Sequence, residues 1–449
     1  MKKLFGTDGI RGKANAYPIT PEISLQLGKA IAHVFGATGH GSLKAVLGKD
    51  TRLSGYMIET ALTSGLLSMG MDVLEVGPMP TPAVAHLTKS MGCACGIMIT
   101  ASHNPSADNG IKVFGPDGFK LQDEIEKDIE EHTLGGEIRS SHIEPDMIGK
   151  AYRIDDARGR YIEFTKSSIK NRSLKGLKVV LDCANGAAYS MAPLIFRELG
   201  AEVIETASKP DGHNINKNCG ATCSATASAL VKEHKADVGI SLDGDADRVI
   251  FCDAAGNEVN GDRIIGMCAL DAKERGTLSH NTVVVTSMSN LGLYEAMNNF
   301  GIGVETTAVG DRYVIERMKE KNFNLGGEQS GHIIFMDYVT TGDGIISALH
   351  VLKMMMNRQK PLAELASFMS EYPQQLTNID VKEKMPLESI ASVSREIKDC
   401  EGELGKLGRT FIRYSGTENK LRILIEAKDA SLVKKWSSRI SDAVKKELC

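Results

Sequence analysis

The sequence has no hydrophobic run long enough to cross a membrane, no excess of basic residues and no cysteines at the paired CxxC spacing of a zinc site. No apolar stretch approaches the ~18 residues of a membrane span. The net charge of −4 argues against nucleic acid or an anionic membrane as the main partner, since either would call for a basic surface. The nine cysteines contain no CxxC zinc spacing and are typical of reduced thiols in a cytoplasm. The start of the chain has no apolar signal-peptide segment, so we expect a cytoplasmic protein.

The composition is that of an ordinary globular protein, spread over more residues than one core holds. The 449 residues are 42% hydrophobic and 24% charged. At about 100–200 residues per domain, this length predicts roughly two to four domains.

A plan of strand, helix, strand, helix, strand recurs three times along the chain. This pattern predicts parallel sheets covered by helices on both faces. Polar loops that follow the third strand of each copy lie at equivalent sheet ends, and we expect them to converge on one cleft. The predicted strands are 45–48, 73–77 and 96–99 in the first copy, 178–182, 201–205 and 236–240 in the second, and 282–286, 303–307 and 323–326 in the third.

The pattern changes after about Pro361. Two alternating segments, 409–413 and 421–425, flank a Ser-Gly-Thr turn, and an amphipathic helix is predicted over 431–448. This part of the chain is predicted to be a smaller α+β domain.

Ser102 follows the third strand of the first copy, in the run Ile99 to Pro105. The apolar residues stop where the polar run begins, and the Asn-Pro pair breaks regular structure. A hydroxyl at such a strand end is placed as open α/β sheets place reactive groups, although a cap or turn serine is the commoner case. His103 is adjacent in sequence, and adjacent side chains usually point apart, so no Ser-His dyad is predicted.

Asp243, Asp245 and Asp247 alternate along the loop that follows the third strand of the second copy, and Arg248 comes next. Alternation in an extended chain turns the three carboxylates to one side, where they repel unless a cation neutralises them. All-oxygen ligation suits Mg²⁺. The spacing lacks the glutamate at loop position 12 of an EF-hand, and a merely solvated acidic turn is the less favoured alternative.

The loop 326–332 follows the third strand of the third copy. Its Glu328, Ser330 and His332 can together bracket vicinal sugar hydroxyls, while a polar turn is the alternative. In the last domain, Arg413 and the turn that follows it supply a guanidinium, hydroxyls and backbone amides. These groups could bind a phosphate, and a surface turn with a solvated arginine is an equally good interpretation. The turn residues are Ser415, Gly416 and Thr417.

Two further basic residues lie near these motifs. Arg11, in the run 7–12, would be an additional anion clamp. Lys112 lies close to the Ser102 loop, and it is compatible with a phosphate partner, a proton-transfer group or a solvated lysine.

Taken together and in this order, the motifs resemble the α-D-phosphohexomutase superfamily over the whole chain. Gln329, within the sugar loop, and the run 214–222 resemble the branch that acts on glucosamine phosphates. The resemblance implies interconversion of glucosamine 6-phosphate and glucosamine 1-phosphate, which feeds UDP-N-acetylglucosamine and peptidoglycan synthesis. The alternative within the superfamily is a mutase for glucose or mannose phosphates.

The resemblance also implies a fold and a domain division. The fold is three similar α/β domains with mixed, mostly parallel sheets covered by helices, and a smaller C-terminal α+β domain, arranged around a central cleft. The implied domains are 1–150 with the phosphoserine loop, 151–255 with the metal loop, 256–370 with the sugar loop and 371–449 with the phosphate-binding turn.

The site roles follow from the same resemblance. Ser102 would be the phosphoserine, primed by a sugar 1,6-bisphosphate or a kinase, and Arg11, Lys112 and Arg248 would assist transfer. One Mg²⁺ per chain would be held by Ser102, Asp243, Asp245 and Asp247. Sugar phosphates are the expected partners, and a homodimer is compatible with the resemblance. The substrate-binding residues would be Glu328, Ser330, His332, Arg413, Ser415, Gly416 and Thr417.

Two other classes of protein remain as alternatives. A metal-dependent phosphatase would use an aspartate nucleophile and would not need Ser102. A non-catalytic sugar-phosphate sensor would bind ligand without turnover. Among departures from the family pattern, Ala246 stands where glycine is common, which matters only if that position needs a positive φ.

Overall fold

The computed structural model describes residues 4–6, 8–37, 43–136, 138, 143–414 and 419–449. These residues form two compact units. The first comprises residues 1–288 and 301–368, and the second comprises residues 289–300 and 369–449.

The first sheet has seven strands in the order β1-β2-β6-β5-β3-β4-β7. Strands β3, β4, β5 and β7 are parallel, whereas β6, β2 and β1 continue the sheet in antiparallel pairing. The strands are β1 Phe5–Gly6, β2 Gly9–Lys13, β3 Lys44–Lys49, β4 Asp72–Pro78, β5 Cys95–Ile99, β6 Asp108–Phe114 and β7 Ala151–Arg153. The helices of this region are α1 Pro21–Ala37, α2 Ser54–Leu67, α3 Thr81–Ser90, α4 Asp123–Gly135 and α5 Ala157–Ser168.

The second sheet has five strands in the order β12-β11-β10-β8-β9. The pairs β8–β9 and β8–β10 are parallel, and β11 returns antiparallel to β10. Its elements are β8 Lys178–Asp182, α6 Ala192–Glu198, β9 Glu202–Thr206, α7 Ala225–His234, β10 Val238–Leu242, β11 Val249–Asp253 and β12 Glu258–Val259.

The third sheet repeats this arrangement with four strands in the order β14-β13-β15-β16. Here β13 is parallel to β14 and β15, and β16 returns antiparallel to β15. Its elements are α8 Gly261–Glu274, β13 Thr282–Thr286, β14 Gly303–Thr307, α10 Asp311–Lys321, β15 Leu325–Gly327, β16 Ile333–Phe335, α11 Gly344–Arg358 and α12 Leu362–Leu365, while the helix α9 Leu291–Asn299, between β13 and β14 in the chain, belongs to the second unit.

The second unit contains an antiparallel sheet in the order β17-β19-β18. Its closing helix α14 begins after Asp429, whose side chain accepts the backbone N–H of Ser431. The buried face of α14 carries residues three or four positions apart, which is the spacing of an amphipathic helix. The elements are β17 Gln374–Asp380, α13 Ala391–Leu404, β18 Gly408–Tyr414, β19 Lys420–Ala427 and α14 Ala430–Leu448, together with α9.

The predicted fold class is confirmed, with one systematic addition. Each of the three α/β copies has an antiparallel return strand, β6, β11 or β16, directly after its functional loop. These strands were not predicted from the sequence, and neither was the edge strand β17, whose residues are mostly exposed and polar. Within the described ranges, no helix is both long and apolar enough to span a membrane.

Candidate active site

The three functional loops occupy equivalent positions in their sheets. Each connects the third strand of a copy to its antiparallel return strand, so the sheet holds both ends of the loop. The residues paired at the base of each loop are Ile99 with Ile111, Leu242 with Val249, and Gly327 with Ile333.

Backbone hydrogen bonds also join the metal loop and its return strand to the first and third α/β copies, and the Ser102 hydroxyl donates to Asp243 of the metal loop. The N–H of Thr81, at the start of α3, donates to the carbonyl of Asp245 at 2.9 Å. The N–H of Val249 donates to the carbonyl of Gly331 at 3.0 Å. The three loops therefore form one continuous site within the first unit.

Ser102 is buried, with 1% of its surface exposed. Its Oγ donates a hydrogen bond to Asp243 Oδ2 at 2.6 Å. The backbone of Ser102 has φ 50°, in the left-handed region that non-glycine residues rarely adopt. The metal loop approaches so closely that a Cβ on Gly244 would lie 2.4 Å from the Ser102 carbonyl oxygen.

His103 lies beside Ser102 and is partnered elsewhere. Its Nδ1 is 3.4 Å from Ser102 Oγ but 3.1 Å from Nη1 of Arg248. Burial, reinforced by the charge of Arg248, lowers the pKa of His103 to about 4. The ring is therefore neutral and accepts a hydrogen bond from Arg248, while Asp243 is the nearer partner of the Ser102 hydroxyl.

Asp243, Asp245 and Asp247 are buried together, with one oxygen of each within 4.8 Å of the others. Oδ2 of Asp245 accepts hydrogen bonds from Thr81 Oγ1 at 2.6 Å and from Lys112 Nζ at 3.0 Å. Oδ1 of Asp245 and Oδ1 of Asp247 are buried and have no hydrogen-bond partner. Unsatisfied buried carboxylate oxygens are costly, and a divalent cation bound to them would remove that cost.

The electrostatics of the three aspartates also fit a cation site. Burial raises the pKa of Asp243 well above its ordinary value, and the neighbouring Asp247 and Asp245 raise it further. Burial would raise the pKa of Asp247 too, but Lys112 and other cations hold it well below its ordinary value. One lysine thus stabilises only part of the cluster, and a bound cation would stabilise all of it.

A buried charge network continues from the aspartates to α10. Lys112 Nζ lies 3.0 Å from Asp247 Oδ2 and 3.4 Å from Asp8 Oδ2. Asp8 also pairs with Arg11 and with Lys120. Lys120 Nζ in turn contacts an Asp311 carboxylate oxygen at 2.5 Å. The structure thus brings Lys112 to two of the three aspartates, Asp245 and Asp247, and reaches Arg11 through Asp8.

Two arginines contribute unused donors. The Nε atoms of Arg11 and Arg248 are buried and have no hydrogen-bond partner. Arg248 is joined to the metal loop by its own backbone N–H, which donates to Asp243 Oδ1 at 3.2 Å. Unpaired guanidinium donors beside a nucleophile suit the binding of an anion such as phosphate.

The sugar loop places its three predicted residues differently. Glu328 is half-buried, and its Oε1 accepts the N–H of Gly310 at 3.2 Å. Ser330 is exposed at the tip of the loop. His332 is buried, its Nε2 accepts the N–H of Gly342 at 3.0 Å, and its Nδ1 lies 3.7 Å from Asp247 Oδ1.

The phosphate-cradle residues belong to the second unit. Arg413 lies on β18, with its guanidinium over the ring of Phe411 at 5.6 Å. Ser415, Gly416 and Thr417 lie outside the described residues. Their role is still a prediction from the sequence.

Several residues that the sequence analysis did not single out belong to this site. Asp8 lies in the same run as Arg11, and Lys120 and Asp311 join the network described above. Thr81 and Arg52 follow β4 and β3, at the sheet edge where Ser102 follows β5. The strand-end rule that identified Ser102 could have identified these two residues as well.

Comparisons with known proteins agree with this architecture. Four phosphoglucomutase/phosphomannomutase domain families match in order: α/β/α domain I over residues 2–138, domain II over 159–256, domain III over 260–372 and the C-terminal domain over 376–443. The chain belongs to the phosphoglucomutase/phosphomannomutase family.

Relatives over the full length define the branch. The chain is 55% identical to phosphoglucosamine mutase of Geotalea daltonii, covering 100% of this chain and 99% of the relative. It is 52% identical to phosphoglucosamine mutase of Syntrophotalea carbinolica, covering 100% of this chain and 98% of the relative. The family and the branch predicted from the sequence are both confirmed.

Solved structures of more distant proteins share the fold. A phosphoglucomutase/phosphomannomutase family protein from Burkholderia thailandensis has a TM-score of 0.82 at 21% identity, covering 99% of this chain and 98% of that one. Aspergillus fumigatus N-acetylphosphoglucosamine mutase, solved with GlcNAc-6P and magnesium, has a TM-score of 0.66 at 18% identity and covers 99% and 95%.

Proposed function

We propose that this enzyme interconverts glucosamine 6-phosphate and glucosamine 1-phosphate, with Ser102 as the phosphate carrier and glucosamine 1,6-bisphosphate as the intermediate. The observation that carries the proposal is the buried Ser102 hydroxyl, 2.6 Å from an aspartate of a three-aspartate cluster. A hydrolytic dyad is not needed, because the nearer partner of Ser102 is Asp243 and not His103. The product would supply UDP-N-acetylglucosamine synthesis.

The reaction consists of two phosphoryl transfers. In the first, the bond between phosphorus and Ser102 Oγ breaks as the free sugar hydroxyl bonds to phosphorus. The hydroxyl loses its proton, and Ser102 returns to the hydroxyl form. The bisphosphate then reorients within the site, so that its other phosphate faces Ser102. Ser102 takes back the phosphoryl group from that end of the sugar. Because only phosphorylated Ser102 can begin the cycle, a sugar 1,6-bisphosphate serves as the primer.

The site residues neutralise charge around the transferring group. Asp243, Asp245 and Asp247, with an oxygen of phosphorylated Ser102, would hold one Mg²⁺, which supplies charge neutralisation in the loose transition state. The unpaired Nε donors of Arg11 and Arg248 would bind phosphoryl oxygens. Lys112 already lies between two of the aspartates and would help to keep their charge from repelling the phosphate.

Substrate recognition is assigned to the other two motifs. Glu328, Ser330 and His332 would bind sugar hydroxyls or the amino group from the sugar loop. The phosphate that is not being transferred would be held by Arg413, Ser415, Gly416 and Thr417.

The test compares kcat/KM on glucosamine 1-phosphate, glucose 1-phosphate and mannose 1-phosphate with one preparation, Mg²⁺ and glucose 1,6-bisphosphate. We expect at least about a tenfold preference for the glucosamine phosphate. Ser102→Ala should abolish turnover, while Ser106→Ala, in the same loop, should retain it. Active enzyme should carry about 80 Da of added phosphoryl mass on the Ser102 peptide. Active enzyme without that mass, or phosphate release by the Ser102→Ala variant, would refute the proposal.

The proposal extends to organisation and location. The ranges 1–150, 151–255, 256–370 and 371–449 are assigned as the phosphoserine, metal, sugar and phosphate-binding domains. A cytoplasmic location is supported by the nine cysteines, all in the described part of the chain and all free thiols. A homodimer is the proposed assembly, to be measured by light scattering.

A further inference from the structure

We propose that Arg52 is a positioning residue for the nucleophile, which gathers the backbone carbonyls of the Ser102 loop around one buried guanidinium. The inference rests on the proposed function, because it assigns Arg52 a part in phosphoryl transfer from Ser102. Arg52 follows β3 and is not among the residues that would contact the sugar, the metal or the phosphate.

The guanidinium of Arg52 is fully buried, with none of its surface exposed. It makes hydrogen bonds to a set of backbone carbonyls in the loop carrying Ser102 and in the first residue of β6, which follows that loop. Nη2 donates to Ser102 O at 3.0 Å and to Asn104 O at 2.8 Å, and Nη1 donates to Asp108 O at 3.1 Å and to Pro105 O. One side chain therefore holds four carbonyl groups between Ser102 and the start of β6.

The same guanidinium is also linked, through Asp50 and Thr100, to the backbone N–H of Ser102. Nε of Arg52 donates to Asp50 Oδ2 at 2.9 Å, and this oxygen also accepts the Thr100 hydroxyl at 2.7 Å. Thr100 Oγ1 then accepts the backbone N–H of Ser102 at 2.9 Å. The peptide groups on both sides of Ser102 are thus fixed by a chain of hydrogen bonds that starts from Arg52.

This arrangement explains how Ser102 keeps an unfavourable backbone conformation. A left-handed residue other than glycine is strained and persists only where surrounding contacts impose it. Asn216, from the second α/β copy, supports the same backbone, because its Nδ2 donates to Ser102 O at 2.8 Å and to Asn104 O at 3.0 Å. Arg52 and Asn216 together form the carbonyl clamp of the loop.

The clamp also has an electrostatic consequence. Carbonyl oxygens carry partial negative charge, and they would repel a phosphorylated Ser102 if they faced it. The guanidinium draws four of them toward itself, away from the hydroxyl that hydrogen-bonds to Asp243. Lysine cannot replace this function, because an ammonium has three donors and lacks the planar fork of five N–H groups.

The experiment replaces Arg52 by lysine, which keeps the charge beside Asp50 and removes the fork. Arg358→Lys is the matched control, since Arg358 pairs with Asp271 and Glu274 instead of the Ser102 loop. We measure kcat and KM for glucosamine 1-phosphate, the melting temperature, and the rate at which glucose 1,6-bisphosphate phosphorylates Ser102, read by intact mass.

A clamp predicts that Arg52→Lys lowers kcat and the Ser102 phosphorylation rate by about 100-fold, as expected for a displacement near 1 Å. KM should change less than about threefold, because the clamp does not contact the sugar loop, and the control should match the wild type. Asn216→Gly, which tolerates the left-handed conformation of Asn216, should lower kcat by about tenfold.

Folded Arg52→Lys enzyme with kcat within about threefold of the wild type, or with its loss confined to KM, would overturn the inference. Should Arg52→Lys fail to fold, unchanged kcat in Asn216→Gly would overturn it instead. Wild-type enzyme inactive on glucosamine phosphates would refute the proposed function, and the ratio of Ser102 phosphorylation rates would still decide the role of Arg52.

Discussion

Gly244 lies between two of the metal-site aspartates, where the metal loop meets the Ser102 loop. A Cβ at this position would lie 2.4 Å from the Ser102 carbonyl oxygen and 2.9 Å from Nδ2 of Asn216. Gly244 does not have a left-handed φ, so its backbone conformation permits alanine and the obstacle is purely steric. Gly244→Ala therefore tests whether direct contact between the two loops matters for the reaction.

The size of the effect follows from the overlap. Carbon and oxygen atoms in close contact stand about 3.3–3.6 Å apart, so the two loops must separate by about 1 Å. A displacement of this size between reacting groups costs about 100-fold in rate, or about 2.7 kcal/mol in activation free energy. Overpacking should also cost about 1–3 kcal/mol of stability.

The assay is kcat for glucosamine 1-phosphate at saturating Mg²⁺, together with the free energy of unfolding. Gly159→Ala is the matched control, because Gly159 lies in α5 and a Cβ there would meet nothing within 4 Å. We expect the control to keep full activity and to gain about 0.5–1 kcal/mol from its better helix propensity. If Gly244→Ala kept kcat within about threefold of the wild type, close contact of the loops would not be required.

Two further predictions concern the metal site and the response to pH. Thr81→Val removes the hydroxyl that donates to the Asp245 carboxylate. When the protein is first stripped of metal by a chelator and then titrated with Mg²⁺, the Mg²⁺ concentration that gives half-maximal activity should be about tenfold higher than for the wild type. An unchanged concentration would contradict this prediction. Burial, with the nearby charge of Lys353, lowers the pKa of His350 to about 3 in the folded protein. Below the ordinary histidine pKa, the unfolded chain therefore binds more protons at His350 than the folded protein does, and the free energy of unfolding decreases as the pH is lowered. When the pH is lowered from about 7.5 to about 5, the free energy of unfolding of the wild type should decrease by about 2 kcal/mol more than that of His350→Phe. The measurement is urea unfolding at both pH values, and equal decreases in the two proteins would refute this prediction.

Much of the site could be predicted because its chemistry is local in sequence. The three aspartates alternate within one loop, and Ser102 follows an apolar strand whose end is marked by an Asn-Pro break. Such signals need no knowledge of distant residues. The strand-end rule then places each loop at the same edge of its own sheet, since parallel strands of a sheet end at one edge.

The remaining contacts depend on residues far apart in the chain. Arg52 and Ser102 are separated by 50 positions, and Lys120 and Asp311 by 191. No short pattern joins these pairs, because an ion pair or a carbonyl clamp is specified by the packing of the folded chain. Strand β6 was missed for a local reason: it begins with Asp108 and a buried asparagine, which are typical of a turn.

Ala246 shows how a small departure gains meaning from the structure. This residue has φ 55°, a positive value, and a positive φ is the condition under which alanine in place of the family's glycine matters. The side chain is fully buried and its carbonyl accepts the N–H of Gly344 at 3.0 Å. The loop therefore bears about 1–2 kcal/mol of backbone strain that a glycine would relieve.

The return strands have a consequence for how the three loops bind a ligand. Since each loop begins and ends in neighbouring strands of one sheet, the entropy of closing it is lost during folding and not during substrate binding. The hydrogen bonds of each sheet, and not a bound cation or sugar, fix the loop backbone that carries the charged side chains of the site. Each α/β copy is thus a frame that holds its loop in place before any ligand binds, so the binding energy of the ligand is not spent on ordering that loop.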